Sequence, residues 1–288
     1  METVTQKAPA KINLYLKVTE RRADGYHTLD TLFLPLSCPT DQITIDFVKS
    51  GGIQIMCDSP DVPLDSKNIC WKAAEHYFNK AGIAPACRIT IEKEIPVAAG
   101  LGGGSSNAAT VLTILNSKFK ALDDAELNQI ALQCGADVPF FLHRKPVFAS
   151  GIGDKFEYIN DFDFKRPLLL VNPSFPVSAA WAYRNLSPAK IGSVDINFRQ
   201  ELLKSFCEPS ESISKYIFND LAEALYMKFP LLKMLRRDML NAGAEAVEIS
   251  GSGPTLFAVC RNSGSRAAIR EMLERDHQPM RIYESEVI

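Results

Sequence analysis

From Lys11 to Val18 apolar and polar residues alternate, with Ile12, Leu14, Leu16 and Val18 on one face and Lys11, Asn13, Tyr15 and Lys17 on the other. Period two over this length predicts a half-buried strand, with Lys11 and Asn13 projecting together near its start. A second run, 28–34, follows Asp24-Gly25, a turn signal that predicts a hairpin. Two more alternating runs, 42–47 and 52–56, make the N-terminal third rich in antiparallel strands. The spacing then changes. Ile69, Ala73, Tyr77 and Phe78 predict a helix over 68–81, and a strand over 88–92 follows it. Ala108, Val111, Leu112, Leu115 and Phe119 recur at helical spacing. Asp123 and Glu126 have the spacing of a capping box, so another helix is expected over 124–134, stopped by Gly135 as its C′ residue. Residues 146–153 read as a strand and a glycine turn.

The stretch 160–167 is polar and aperiodic and precedes a buried strand at 168–171. A domain boundary belongs there, giving domains 1–160 and 161–288. Beyond it, helices are expected over 178–185, 196–206, 219–228, 230–242 and 264–275, mixed with strands at 245–249, 255–260 and 280–284. The class is α+β with two domains. A chain of 288 residues with 46% apolar and 23% charged residues has ample material for a core. Its net charge of −2 argues against a broad nucleic-acid or anionic-membrane surface. No apolar run approaches the ~20 residues of a membrane span, and the first residues lack the pattern of a signal peptide. The seven cysteines are scattered, with no Cys-x-x-Cys pair, and the four histidines are dispersed. Reduced cytoplasmic thiols are expected rather than a disulfide frame or a metal site.

Chemistry concentrates in Pro96-Val-Ala-Ala-Gly-Leu-Gly-Gly-Gly-Ser-Ser-Asn-Ala108, where four glycines run into two serines and then a helix. Glycine permits positive φ and close approach, and a helix start offers unpaired N–H groups and the positive end of a dipole. The loop therefore suits phosphate. It lacks the lysine of a P-loop, and Ser105 stands where a dinucleotide fingerprint needs its third small residue. Lys11 and Asn13 are either a solvated strand face or a functional pair. Tyr26 and His27 offer a ring for stacking beside ring nitrogens, or are the ordinary shoulder of a hairpin. Asp137, a lone acid before the apolar run 138–142, can accept a proton from an alcohol or cap the next short helix. A second glycine loop, Ser250-Gly-Ser-Gly-Pro254, either closes over the first or is a plain turn.

Three of these segments in order, Pro9-Ala-Lys-Ile-Asn-Leu14, Pro96 to Ala108 and Ser250 to Pro254, resemble the three motifs of the GHMP small-molecule kinases, the family of galactokinase, homoserine kinase and mevalonate kinase. Arg22-Ala-Asp-Gly-Tyr-His27 and Gly135-Ala-Asp-Val-Pro-Phe-Phe141 point within it to a cytidine-bearing substrate. The resemblance implies a GHMP kinase fold, with an N-terminal domain like ribosomal protein S5 domain 2 and a ferredoxin-like C-terminal domain. It implies ATP-dependent phosphorylation of the 2-hydroxyl of a small molecule, cytidine diphosphate methylerythritol, with Mg2+ accompanying the ATP. On that basis Asp137 would be the base and Lys11 would hold Asp137 ionised and steady transition-state charge. Asn13 would fix the polyol, and Tyr26 and His27 would hold the cytosine. Pro96, Val97, Ala98, Ala99, Gly100, Leu101, Gly102, Gly103, Gly104, Ser105 and Ser106 would wrap the ATP phosphates, with Asn68 and Lys93 near the adenosine.

One departure is visible: Ala179, after Ser178, stands where many members carry a threonine able to contact substrate. Ser106 can offer an oxygen to Mg2+, but no second acid stands near the loop. The alternatives are a GHMP kinase acting on another alcohol and a ligand sensor on the same fold. A monomer or weak homodimer without nucleic-acid or membrane partners is expected.

Overall fold

A computed structural model describes residues 2–159, 162–207, 212–277 and 279–288. The chain starts with two long strands, β1 (Glu2–Arg21) and β2 (His27–Phe47), which pair with each other. The turn between them is the expected one, with Gly25 at φ +87° and the Asp24 carboxylate accepting from the Tyr26 N–H at 3.0 Å. β2 corrects the sequence reading, which broke it into two strands around Pro35 and Pro39. Proline removes one ladder donor but leaves its carbonyl. Here Pro35 O accepts from the Ile288 N–H and the Ser37 N–H donates to Glu286 O, so the C-terminal residues carry the strand through.

Two compact units interleave along the sequence. The first consists of Met1–Ala10, Pro39–Val97 and Gly102–Arg144. In it lie β3 (Gly52–Cys57), α1 (Ile69–Ala81), β4 (Ala86–Glu92), α2 (Gly103–Phe119), α3 (Asp124–Cys134) and α4 (Val138–His143). β4 runs antiparallel to the end of β2, with Ile43 opposite Ile91 and Ile45 opposite Ile89. β3, expected as antiparallel, instead runs parallel to β4, with Ile55 opposite Ile89. A parallel pair needs a crossover, and α1 supplies it. α1 packs on α2, burying Ala73, Tyr77 and Phe78 with Val111, Leu112 and Leu115. The capping box of α3 forms as read, the Glu126 N–H donating to Asp123 at 2.8 Å. Gly135 does end α3, but at φ 169°, which is extended backbone and not a left-handed cap.

The second unit consists of Lys11–Cys38, Ala98–Leu101 and Lys145–Ile288. The start of β2 pairs with β5 (Val147–Ser150), and β5 with β6 (Lys155–Tyr158). Next come β7 (Leu168–Asn172), α5 (Ala179–Arg184), α6 (Phe198–Cys207), α7 (Ala222–Lys228), α8 (Pro230–Asn241), β8 (Ala246–Ile249), β9 (Leu256–Val259), α9 (Ser263–Asp276) and β10 (Arg281–Ser285). The last four strands form an antiparallel sheet in the order β10-β7-β9-β8. Strand, helices, two strands, helix, strand in that spatial order is the ferredoxin-like arrangement expected of the C-terminal half. All five residues of β7 are buried, and Leu169, Val171, Ile249, Leu256 and Ala258 share one core with Leu225, Leu235, Met239, Ile269 and Leu273. The boundary expected between Asn160 and Asp161 lies outside the described residues. Among the described residues, no helix is long and apolar enough to cross a membrane, and six cysteines are free thiols.

Candidate active site

In the first unit the glycine loop leads into α2. Gly102 is the N-cap residue at φ +71°, and no side chain caps this end. The first N–H groups of α2, from Gly103 onward, are thus left to a ligand or to water, at the positive end of a helix dipole. Gly103 is forced by space: a Cβ there would lie 2.9 Å from Ile95 Cγ2 and 3.2 Å from Lys93 Nζ. Ser106, one turn further on, is fully buried, and its Oγ has no hydrogen-bond partner. A buried hydroxyl without a partner costs free energy, so this one can take a bond from a water or a ligand atom.

The approach to this loop is fixed by Asp41, which sequence reasoning missed. Its carboxylate is fully buried and accepts from the Glu94 and Ile95 N–H groups and from Asn107 Nδ2, each at 2.8 Å. Lys93 completes the set as a buried ion pair with the same carboxylate. One acid thus ties the residues just before Pro96 to the first turns of α2. The only hint in the sequence is a polar insert, Pro39-Thr-Asp-Gln42, between apolar runs, which reads equally as a turn. Asn68, at 3% exposure, spends its side chain locally: Oδ1 accepts from the Cys70 N–H to cap α1 and Nδ2 donates to Pro63 O. Asp137 stands at the N-cap position of α4 but makes no capping hydrogen bond, so the cap reading is set aside. Pro96 is half-buried and Val97 exposed at the start of the loop.

In the second unit the segment from Ala98 to Leu101 packs against the second glycine loop, so that loop is no plain turn. Thr255 N–H donates to Ala99 O at 3.4 Å and Ser250 Oγ to Gly100 O at 2.9 Å. Gly100, at φ +77°, approaches so closely that a Cβ would lie 2.0 Å from Ser250 O. Lys11 N–H donates to Leu101 O, and Asn13 N–H donates to Ser250 Oγ at 3.3 Å. The Lys11–Asn13 face is therefore not solvated: the two residues are 5% and 3% exposed. Lys11 Nζ donates to Asn13 Oδ1 at 2.7 Å and lies 4.4 Å from the centre of the Phe33 ring. A buried ammonium held by a carbonyl and a ring face suits stabilisation of developing negative charge.

Also in this unit, Tyr26 and His27 border a cavity of about 690 Å³ lined by Leu29, Ala179, Tyr183 and Leu186 among others. His27 stacks on Tyr183, with ring centroids 5.4 Å apart and planes 22° apart. Tyr183 was missed, because an aromatic on a short helix carries no signal of its own. Tyr26, at 64% exposure, is a ring standing over the opening. Burial, and then the charge of Arg21, hold the His27 imidazole below the ordinary histidine range. A neutral ring can both donate and accept a hydrogen bond, which fits a heterocycle. The small Ala179 leaves its part of the wall apolar.

Residues 68–145 match the model of the GHMP kinases N terminal domain, and residues 200–278 that of the GHMP kinases C terminal. A 4-diphosphocytidyl-2-C-methyl-D-erythritol kinase of Syntrophotalea carbinolica is 40% identical over 269 residues, 92% of each chain. One of Pelobacter propionicus is 40% identical over 278 residues, 95% of this chain and 96% of that one. A crystal structure of 4-(cytidine 5'-diphospho)-2C-methyl-D-erythritol kinase superposes with a TM-score of 0.82 at 32% identity, covering 98% of both chains. Homoserine kinase from Cytophaga hutchinsonii shares the fold, with a TM-score of 0.77 at 18% identity over 100% of this chain and 95% of that one.

Proposed function

The chain belongs to the GHMP kinase family, with its full-length likeness to the 4-diphosphocytidyl-2-C-methyl-D-erythritol kinases, and we propose that it carries out their reaction. It phosphorylates the 2-hydroxyl of 4-diphosphocytidyl-2-C-methyl-D-erythritol at the expense of ATP, in the non-mevalonate route to isoprenoid precursors. The observation that carries this reading is identity of 40% extending over more than nine-tenths of both chains. The cavity beside Tyr26 and His27 supports it, because a neutral imidazole and an exposed ring suit a cytosine.

Phosphoryl transfer asks a protein mainly for positioning and charge stabilisation. Asp137 accepts the proton of the attacking hydroxyl. Lys11, held by Asn13, stabilises charge on the transferred group. Asn13 fixes the polyol. The uncapped start of α2, with Gly102 to Ser106, takes the phosphates together with the segment Pro96 to Leu101, while Asn68 and Lys93 border the adenosine. The orphaned Ser106 Oγ fits a place beside Mg2+ that accompanies the nucleotide, and Mg2+ would neutralise phosphate charge there. Among the described residues no cluster of three or more His, Cys, Asp or Glu side chains is fit to hold a metal. We place its work in the cytoplasm, as the scattered cysteines of the sequence suggest.

The test is an ATP-consumption assay with purified protein on three alcohols: the cytidine compound, mevalonate and homoserine. Turnover on the first alone is expected. Turnover on another alcohol would keep the kinase and remove the cytidine roles of Tyr26 and His27. ATP binding without turnover on any would leave the sensor reading in its place.

A further inference from the structure

Thr31 lies in β2 on the same face as Leu29 and Phe33, a hydroxyl in an apolar row, and it is fully buried. Its Oγ1 donates its single proton to the carbonyl of Tyr15, in the neighbouring strand, through a short hydrogen bond. A carbonyl oxygen can only accept, so that hydroxyl has no proton left for any other partner. Toward Asn13 it can only accept, and Asn13 Nδ2 donates to it at 2.9 Å. The other end of the same carboxamide faces Lys11 Nζ at 2.7 Å, and an ammonium can only donate. Both ends therefore demand one orientation of the amide. Flipping it would set an oxygen against an oxygen with no proton between them, and an NH2 against an ammonium.

We propose that Thr31 is a positioning residue for the reaction: by fixing the Asn13 carboxamide it aims the Lys11 ammonium. The inference rests on the proposed function, in which Lys11 acts on the transferred group. One N–H bond of Lys11 is taken by Asn13 Oδ1, which sets the direction of the other two. The site around Asn13 is tight enough for this control to matter. Gly251 leaves room for Oδ1, to which a Cβ on that glycine would come within 3.2 Å. Without the Thr31 acceptor, the carboxamide is held in that orientation from the Lys11 end alone, so the aim of the pair loosens.

The test compares Thr31→Val, which keeps the shape and loses the hydroxyl, with Thr31→Ser, which keeps the hydroxyl and loses a methyl. Thr31→Ala is compared with Thr31→Ser, from which it differs only by the hydroxyl. Wild type and Lys11→Met are assayed first on the cytidine substrate. Turnover by the wild type and its loss in Lys11→Met support the underlying reading; the opposite result in either removes that reading and this inference with it. Given that reading, Thr31→Val and Thr31→Ala are expected to lower kcat about tenfold, with KM for ATP within about twofold, as loss of one orienting hydrogen bond would. Thr31→Ser should keep kcat within about threefold of wild type. Wild-type kcat in Thr31→Val, or equal losses in Thr31→Ser and Thr31→Ala, would overturn the proposal, since packing would then explain the site. If Thr31→Val does not fold, the Ser and Ala pair decides.

Discussion

Replacing Asp41 by asparagine tests whether one buried acid holds the start of the nucleotide loop. The new Oδ1 can still accept from the Glu94 and Ile95 N–H groups. The other atom becomes an NH2 facing two donors, Asn107 Nδ2 and Lys93 Nζ, where an oxygen accepted from both. Lys93, whose side chain is 8% exposed, is left charged without its carboxylate. Breaking a buried pair from one side costs about 3–5 kcal/mol. At about 2–4 °C per kcal/mol for a chain of this size, Tm should fall by about 6–20 °C. Because Glu94 and Ile95 directly precede Pro96, KM for ATP should rise as well. The assay is a thermal melt of Asp41→Asn, Lys93→Met and the double variant, with ATP kinetics on each. In the double variant the uncompensated ammonium is gone, so its loss should be smaller than the sum of the single losses by at least about 1 kcal/mol. A drop in Tm under about 2 °C, or strictly additive losses, would refute the reasoning. A raised KM in Lys93→Met with a normal KM in Asp41→Asn would show that Lys93 acts on the nucleotide without Asp41.

Three further outcomes follow from the site. Gly100→Ala puts a methyl 2.0 Å from Ser250 O at a positive φ, so kcat/KM for ATP should fall at least tenfold; near-normal kinetics would show that the two loops are not held together. Asp137→Asn should lose about 10²–10⁴ in kcat with ATP affinity little changed, read by steady-state kinetics and nucleotide titration, and an unchanged kcat would remove it as the base. For His27, burial and Arg21 hold the imidazole below its ordinary value in the folded protein. The unfolded chain therefore takes up that proton first as pH falls below about 6.5, and His27 then draws stability down. Above that pH its contribution is constant. His27→Gln should flatten the dependence of Tm on pH just below about 6.5, while raising KM for the cytidine substrate more than for ATP; an unchanged slope would refute the assignment.

The features read from the sequence are those where one local rule decides. The capping box at Asp123 and Glu126, the turn at Asp24-Gly25 and the helix after the glycines each depend on residues within a few positions. So does the pairing of Lys11 with Asn13 on one strand face. The errors have the opposite character. The alternation breaks at Pro35 and Pro39 while β2 does not, because the residues that sustain it, 286–288, lie at the far end of the chain. β3 runs parallel to β4 because strand direction is set by where α1 returns the chain, which the alternation in 52–56 cannot record.

The same division runs through the candidate site. The glycine loop stands out by itself, since four glycines before a helix are costly unless used, whereas the spacing of Lys11 and Asn13 fits a solvated strand face equally well. Asp41 and Thr31 are silent because each acts through partners more than a dozen positions away: Asp41 on Glu94, Ile95 and Asn107, Thr31 on Asn13 and Tyr15. Yet both left a trace that chemistry can weigh. Thr31 is a hydroxyl in register with Leu29 and Phe33, and a hydroxyl on a buried face must find both a donor and an acceptor or cost about 1–3 kcal/mol. A polar residue breaking an apolar row therefore asks what it is bonded to, and here the answer runs to the residues proposed to carry the reaction. Lys11 and Asn13 can be read as a pair from their spacing, but the direction in which that pair points is set by a residue with no motif of its own.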